Sequence, residues 1–154
     1  MAKSSFQKAV EKTPEISSGY RSGVHALKKS DRSAIVVADT RLLDGSVDID
    51  TAVQEKYPNE NRWDYAIGYS GKVCYVEVHP AYTSEVSVVE NKLKWLKTWL
   101  KEKAPLLDAI PKAIPVFVWA QTGKGAILPQ SSQAKRLATL GIKVTRVHKV
   151  VLCQ

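Results

Sequence analysis

Asp64 and Glu77 occupy mirror positions in one short ribbon, residues 62–79, Arg-Trp-Asp-Tyr-Ala-Ile-Gly-Tyr-Ser-Gly-Lys-Val-Cys-Tyr-Val-Glu-Val-His. Two alternating runs flank Ser70-Gly71, which is the signature of two strands closed by a two-residue turn. Counting outward from that turn pairs Tyr69 with Lys72 and Gly68 with Val73, and brings Asp64 opposite Glu77. Directly opposed side chains on one sheet face lie about 5 Å apart, so two carboxylates there repel unless something offsets them. A divalent cation is the obvious offset, because hard cations take carboxylate oxygens. The alternative is a pair at the wet edge of a hairpin, turned to solvent or matched to Arg62 or Lys72.

The helix that follows adds two further charges. His79-Pro80 ends the ribbon, Thr83 is a suitable N-cap, and residues 84–103 have helical periodicity. Ser87, Glu90, Asn91, Lys94 and Lys97 fall on its polar side, and Val86, Val89, Leu93, Leu96 and Trp99 on the apolar side. Glu85 and Lys92, seven residues apart, violate this division and point towards the sheet. An acid in the first helical turn favours the macrodipole, and a lysine stem can lie on apolar neighbours with its ammonium in water. Either residue therefore has a structural reason beside a functional one, as does His79, which can cap backbone groups at a strand end.

Composition sets the frame for these residues. With 154 residues, 44% of them hydrophobic, the chain is long enough for one domain with a real core. The first 18 residues lack sustained periodicity and read as a flexible arm, leaving residues 19–154 as a single domain. No apolar run is of membrane-spanning length, and two cysteines, Cys74 and Cys153, form no disulfide or zinc pattern. These features lead us to expect a cytoplasmic protein with no membrane partner. The net charge is +8, and its excess is C-terminal: residues 101–154 hold 9 Lys/Arg against 2 Asp/Glu. Such a bias suits polyanions, or simply a solvated face.

The remaining segments read as a helix over residues 19–29, a short buried strand over 34–38 and an edge strand or turn with solvated aspartates over 41–50. One or two helical turns follow over 51–57, then a strand over 116–120, a loop over 121–125, a helix over 131–140 stopped by Gly141, and a last strand over 142–152. Gly45-Ser46 followed by Asp48-x-Asp50 resembles the metal-holding motif of nucleotidyltransferases, although only Val47 intervenes where that family has a helical turn. The loop at Gly123-Lys124-Gly125 lacks the first glycine and the hydroxyl residue of a P-loop. Trp63, Tyr65, Trp95, Trp99 and Trp119 are expected in the core, with Trp63 and Tyr65 on the ribbon face opposite Asp64.

The order of elements and the motif Trp63-Asp64 … Val76-Glu77-Val78-His79 resemble the PD-(D/E)xK nuclease superfamily between Trp63 and Trp119. The resemblance implies an α/β fold with the restriction-endonuclease-like αβββαβ core, a mixed central sheet flanked by helices. It also implies Asp64 and Glu77 as ligands of Mg²⁺ or Mn²⁺, and nucleic acid as substrate, DNA ahead of RNA. His79 stands where the family has lysine. In some members that lysine has moved to the following helix, an arrangement Lys92 matches, with Glu85 beside it. An acid often contributed by the first helix is missing from residues 19–29, and Glu15 is the nearest candidate. These departures leave two readings: a nuclease with His79, Lys92 and Glu85 in the catalytic set, or a noncatalytic nucleic-acid or protein-binding module on the same fold.

Overall fold

In the computed structural model, which describes residues 2–122, 127, 130–146 and 151–152, the ribbon is the centre of the molecule. Strand β4 (Tyr65–Tyr69) turns through Ser70 and Gly71, both at positive φ, into β5 (Lys72–Pro80). That left-handed pair is what a two-residue hairpin turn requires, and the register is the one counted from it, from Tyr69 opposite Lys72 to Tyr65 opposite Val76. Ahead of it in sequence come helix α1 (Ser5–Glu11), strand β1 (Tyr20–Arg21), helix α2 (Lys29–Arg32), strands β2 (Val36–Val37) and β3 (Leu43–Asp48), and helix α3 (Ile49–Val53). Behind it come helices α4 (Val86–Lys103) and α5 (Pro105–Asp108), strand β6 (Lys112–Thr122), helix α6 (Ser132–Thr139) and strands β7 (Ile142–Arg146) and β8 (Val151–Leu152).

Six strands form one mixed sheet in the order β1-β3-β4-β5-β6-β7. The β1, β3, β4 and β5 pairings are antiparallel, whereas β5, β6 and β7 run parallel, joined by crossovers that contain α4 and α6. Alternation along the strands then sorts side chains to two faces. Ala66, Tyr75, Phe117 and Trp119 point into a core roofed by α1, α4 and α5, and Tyr65, Ile67, Cys74, Val76 and Val118 into a smaller one closed by Leu27 and Ala34. On α4, Val86, Val89, Leu93, Leu96, Trp99 and Leu100 are buried. At about 1.5–3 kcal/mol for each fully buried side chain, they dock the helix without help from its charges.

The structure corrects several sequence expectations. The first 18 residues are not a loose arm: α1 is capped by Ser4, and Phe6, Val10 and Ile16 are at most 1% exposed. Gly68 is shaped to receive them, since a Cβ there would come within 2.5 Å of the Phe6 ring. A helix of seven residues is too short for its periodicity to stand out. Residues 19–29 form no helix; they begin with the edge strand β1, and α2 starts only at Lys29. The 34–38 strand shrinks to β2, whose Val36 is exposed.

Residues 41–50 supply an interior strand rather than an edge. Asp48 N-caps α3 through the Thr51 amide and hydroxyl, and Asp50 pairs with Arg62 at 2.7 Å. Both aspartates therefore have structural work, and neither is simply solvated. Glu90, assigned to the polar side of its helix, is buried under α6 and held by Arg136 at 2.5 Å. The α4 helix is preceded by a 3₁₀ turn, Thr83–Glu85, so Thr83 makes no capping bond and begins that turn instead. The single final strand divides: β7 extends the main sheet and β8 pairs with β2 in a second, two-stranded one. Residues 123–125 and Cys153 lie outside the described residues.

A candidate site of paired carboxylates

Asp64 immediately precedes β4, and Glu77 and His79 sit two apart on β5, so that both project onto the face covered by α4. The two acids are locked by reciprocal backbone contacts. The Asp64 amide donates to Glu77 Oε1 at 3.1 Å, and the Val78 amide donates to Asp64 Oδ2 at 3.0 Å. One oxygen of each carboxylate is thereby committed, and the other two converge on Lys92. Its ammonium donates to Glu77 Oε2 at 2.5 Å and lies 4.0 Å from Asp64 Oδ1. The sheet supplies the acids, and the packing of α4 sets the height at which the lysine meets them.

His79 continues the line outward. Its Nδ1 lies 3.6 Å from Glu77 Oε2, and its Nε2 is 3.0 Å from Glu85 Oε2. Trp119, from the neighbouring strand, fixes this end: its indole donates to the His79 carbonyl at 2.9 Å and its ring lies edge-on to the imidazole. The five charged residues singled out from the sequence, Asp64, Glu77, His79, Glu85 and Lys92, therefore form one continuous chain of contacts.

Burial dominates the electrostatics. The Glu77 side chain is fully buried, and burial together with the Asp64 charge pushes its carboxyl well above the usual range, against the pull of Lys92. Asp64 is raised to about 6, mainly by burial, with Lys92 and the Val78 amide acting in the opposite direction. Lys92 would be lowered by its own burial, but the two carboxylates outweigh this and raise it. The 2.5 Å contact is that of an ammonium on a carboxylate. With both acids ionised, the triad carries one uncompensated negative charge in a poorly solvated place.

Other acids fall differently. Glu15 accepts from Tyr57 and Trp99 and pairs with Lys56; burial raises its pKa, but these three partners outweigh it and hold the carboxylate below its ordinary value. It contacts none of the five site residues. Arg62 turns to Asp50 and the Tyr57 carbonyl instead of Asp64. No local pattern announces that the α3 start is tied to the site: the Ile49 and Asp50 amides both donate to the Asp64 carbonyl, at 2.9 and 3.3 Å. The Asp48-x-Asp50 spacing marks this segment for a different chemistry. Trp63 lies on the other face from the one expected. It precedes β4 and is not bound by the strand's alternation, so it packs with Phe117 on the Asp64 side, while Tyr65 does lie opposite.

The donor set fits a small hard cation. Asp64 Oδ1 and Glu77 Oε2 are oxygen donors, rigidly held through their partner oxygens, two acids set against one lysine. Among the described residues no group of three or more His, Cys, Asp and Glu side chains is arranged to hold a metal ion. That limits the fit to an ion that takes one or two carboxylates and completes its shell with water and substrate oxygens, as Mg²⁺ does. Such an ion and the Lys92 ammonium would compete for the same two oxygens. Among the described residues no helix is long and apolar enough to cross a membrane. No family model, curated protein or solved structure matches the chain.

Proposed function

We infer that the protein is a divergent metal-dependent nuclease-like protein that hydrolyses phosphodiester bonds in nucleic acid. The observation that carries this reading is the convergence of Asp64 Oδ1 and Glu77 Oε2 on Lys92, from two adjacent strands and the helix that follows them. The element order α1, β3, β4, β5, α4, β6, with an antiparallel meander and a parallel fourth strand, supports the restriction-endonuclease-like αβββαβ core. Asp64 and Glu77 would hold Mg²⁺ or Mn²⁺, whose chemistry there would be to polarise a phosphate and lower the pKa of a bound water. Lys92, released from the carboxylates, offsets the anionic charge that grows on the phosphate. His79, steadied by Glu85, stands beside Glu77 as a group able to hold or pass a proton.

The assay is incubation with single- and double-stranded DNA and RNA in Mg²⁺ or Mn²⁺, alongside Asp64→Ala and Glu77→Ala. Cleavage is expected from the unaltered chain, with a loss of about a hundred- to a thousandfold in each variant. Cleavage that survives both substitutions defeats the assignment. A second reading, a noncatalytic nucleic-acid or protein-binding module on the same fold, is favoured by one observation: Lys92 already neutralises Glu77, and His79 replaces the fixed charge of the motif. Salt-sensitive nucleic-acid binding that is indifferent to chelation, with no turnover, selects that reading.

A further inference from the structure

A cleft of about 520 Å³ opens along α4 from Asn91 to Lys103 and is walled on its other side by Tyr57, Glu60 and Asn61. Those two walls continue directly into the site: Asn91 adjoins Lys92, and the 57–61 segment runs through Arg62 and Trp63 to Asp64. On the cleft side Trp95 is only half-buried, unlike Trp63, Trp99 and Trp119. It stacks on Trp99 with centroids 5.7 Å apart and planes 13° from parallel, and Tyr57 lies 5.7 Å away with its plane turned by 74°. These contacts hold the indole rigid, and its exposed part faces the cleft.

The polar lining has a definite character. Asn61 and Asn91 border the platform, and among the described residues neither side-chain amide has a protein partner. Lys94 and Lys103 are balanced in the same cleft by Glu60 and Glu102, so charge cancels. A flat aromatic surface, edged by amides and electrically neutral, suits a planar ring with hydrogen-bonding edges. The cleft itself therefore addresses a base rather than the phosphates, which are met elsewhere. The volume is that of a site for one small ligand unit rather than a helix groove.

Resting on the reading of the carboxylate pair as a nucleic-acid site, we propose that this cleft is a base-stacking subsite for single-stranded nucleic acid. An unpaired base beside the phosphate engaged at Asp64 and Glu77 lies against Trp95, with the Asn61 and Asn91 amides at its edge. Specificity is then for unpaired strands, because a base within a duplex cannot reach the indole.

The test is binding of a fluorescent oligothymidylate to the full chain in Ca²⁺, a hard cation that takes the same carboxylate oxygens, with recovery of full-length strand as the check that no cleavage intervenes. It is repeated with Trp95→Ala, Trp95→Phe and the same oligonucleotide carrying abasic sites. Stacking is worth about 1–3 kcal/mol per base, so Trp95→Ala should weaken binding about tenfold, Trp95→Phe should retain most of it, and abasic substitution should cost the unaltered chain a similar factor. Binding that is unchanged by Trp95→Ala, or abasic and intact strands that bind alike, overturns the proposal. If Trp95→Ala fails to fold, the abasic comparison on the unaltered chain decides alone. Failure of the two readings is separable. Stacking without any Mg²⁺- or Mn²⁺-dependent cleavage leaves the subsite and removes the nuclease. Cleavage dependent on Asp64 and Glu77, with no Trp95 or abasic effect, does the reverse.

Discussion

Replacing Lys92 by methionine keeps a stem of similar length over the apolar neighbours and deletes the ammonium that meets Glu77 at 2.5 Å. The Glu77 side chain is fully buried, so its carboxylate loses the one side-chain cation that, among the described residues, lies at hydrogen-bonding distance, and bulk solvent does not reach it. The cheapest response is to keep a proton. A glutamate in the unfolded chain releases that proton near 4.5. Holding it in the folded chain therefore costs about 3 kcal/mol at pH 7 but less than about 1 kcal/mol at pH 5. In a protein of this size each kcal/mol moves the melting temperature by about 2–4 °C. Burial and Asp64 already raise the Glu77 carboxyl in the unaltered chain, which bears part of this cost, so Lys92→Met is expected to melt below it by at most about 6–12 °C at pH 7, with a smaller gap at pH 5. Adding Glu77→Gln removes the group that needs the proton, and the double variant should recover most of the loss. The measurement is thermal unfolding by circular dichroism at the two pH values. A gap that is the same at pH 5 and pH 7, and persists in the double variant, refutes the reasoning and assigns Lys92 to packing.

Other substitutions test separate parts of the account. Asp64, raised to about 6 by burial, holds a proton in the folded chain that the unfolded chain releases near 3.8. Stability therefore falls as pH rises between those values, by about 3 kcal/mol, and levels off above them. Asp64→Asn should abolish that fall and melt higher than the unaltered chain at pH 7, with no advantage at pH 3.5; equal pH profiles in urea titrations would contradict it. Phe6→Ala removes a side chain that is 1% exposed and packed against Gly68, so a loss of about 3–5 kcal/mol is expected by denaturant unfolding, whereas a flexible arm predicts no change. Arg136→Ala leaves the buried Glu90 carboxylate without its α6 partner and should cost about 1–3 kcal/mol in the same measurement.

The ribbon and its charges were legible because their signals are local. A two-residue turn fixes register by counting, strand alternation places Glu77 and His79 on one face, and helical spacing turns Lys92 and Glu85 to the sheet. What the sequence did not disclose depends on contacts distant in the chain. Residues 5–16 look unstructured because seven helical residues show barely two turns of pattern, and their helix is held by packing on Gly68 and the sheet. Residues 19–29 carry Tyr20, Val24 and Leu27 at helical spacing, yet Tyr20 is claimed by pairing with β3 and Leu27 by the second core. Glu90 reads as a solvated face until α6 brings Arg136 over it. Trp63 escapes the alternation rule because it lies outside the strand to which the rule applies.

The central claim is that Asp64 and Glu77 form a cation site now shared with Lys92, and a crystal soaked in Mn²⁺ tests it most directly through anomalous scattering. The proposed site requires a peak within coordination distance of the Asp64 and Glu77 carboxylates, with the Lys92 ammonium moved off them. An empty position at millimolar Mn²⁺, with Lys92 still bound to Glu77, would contradict it.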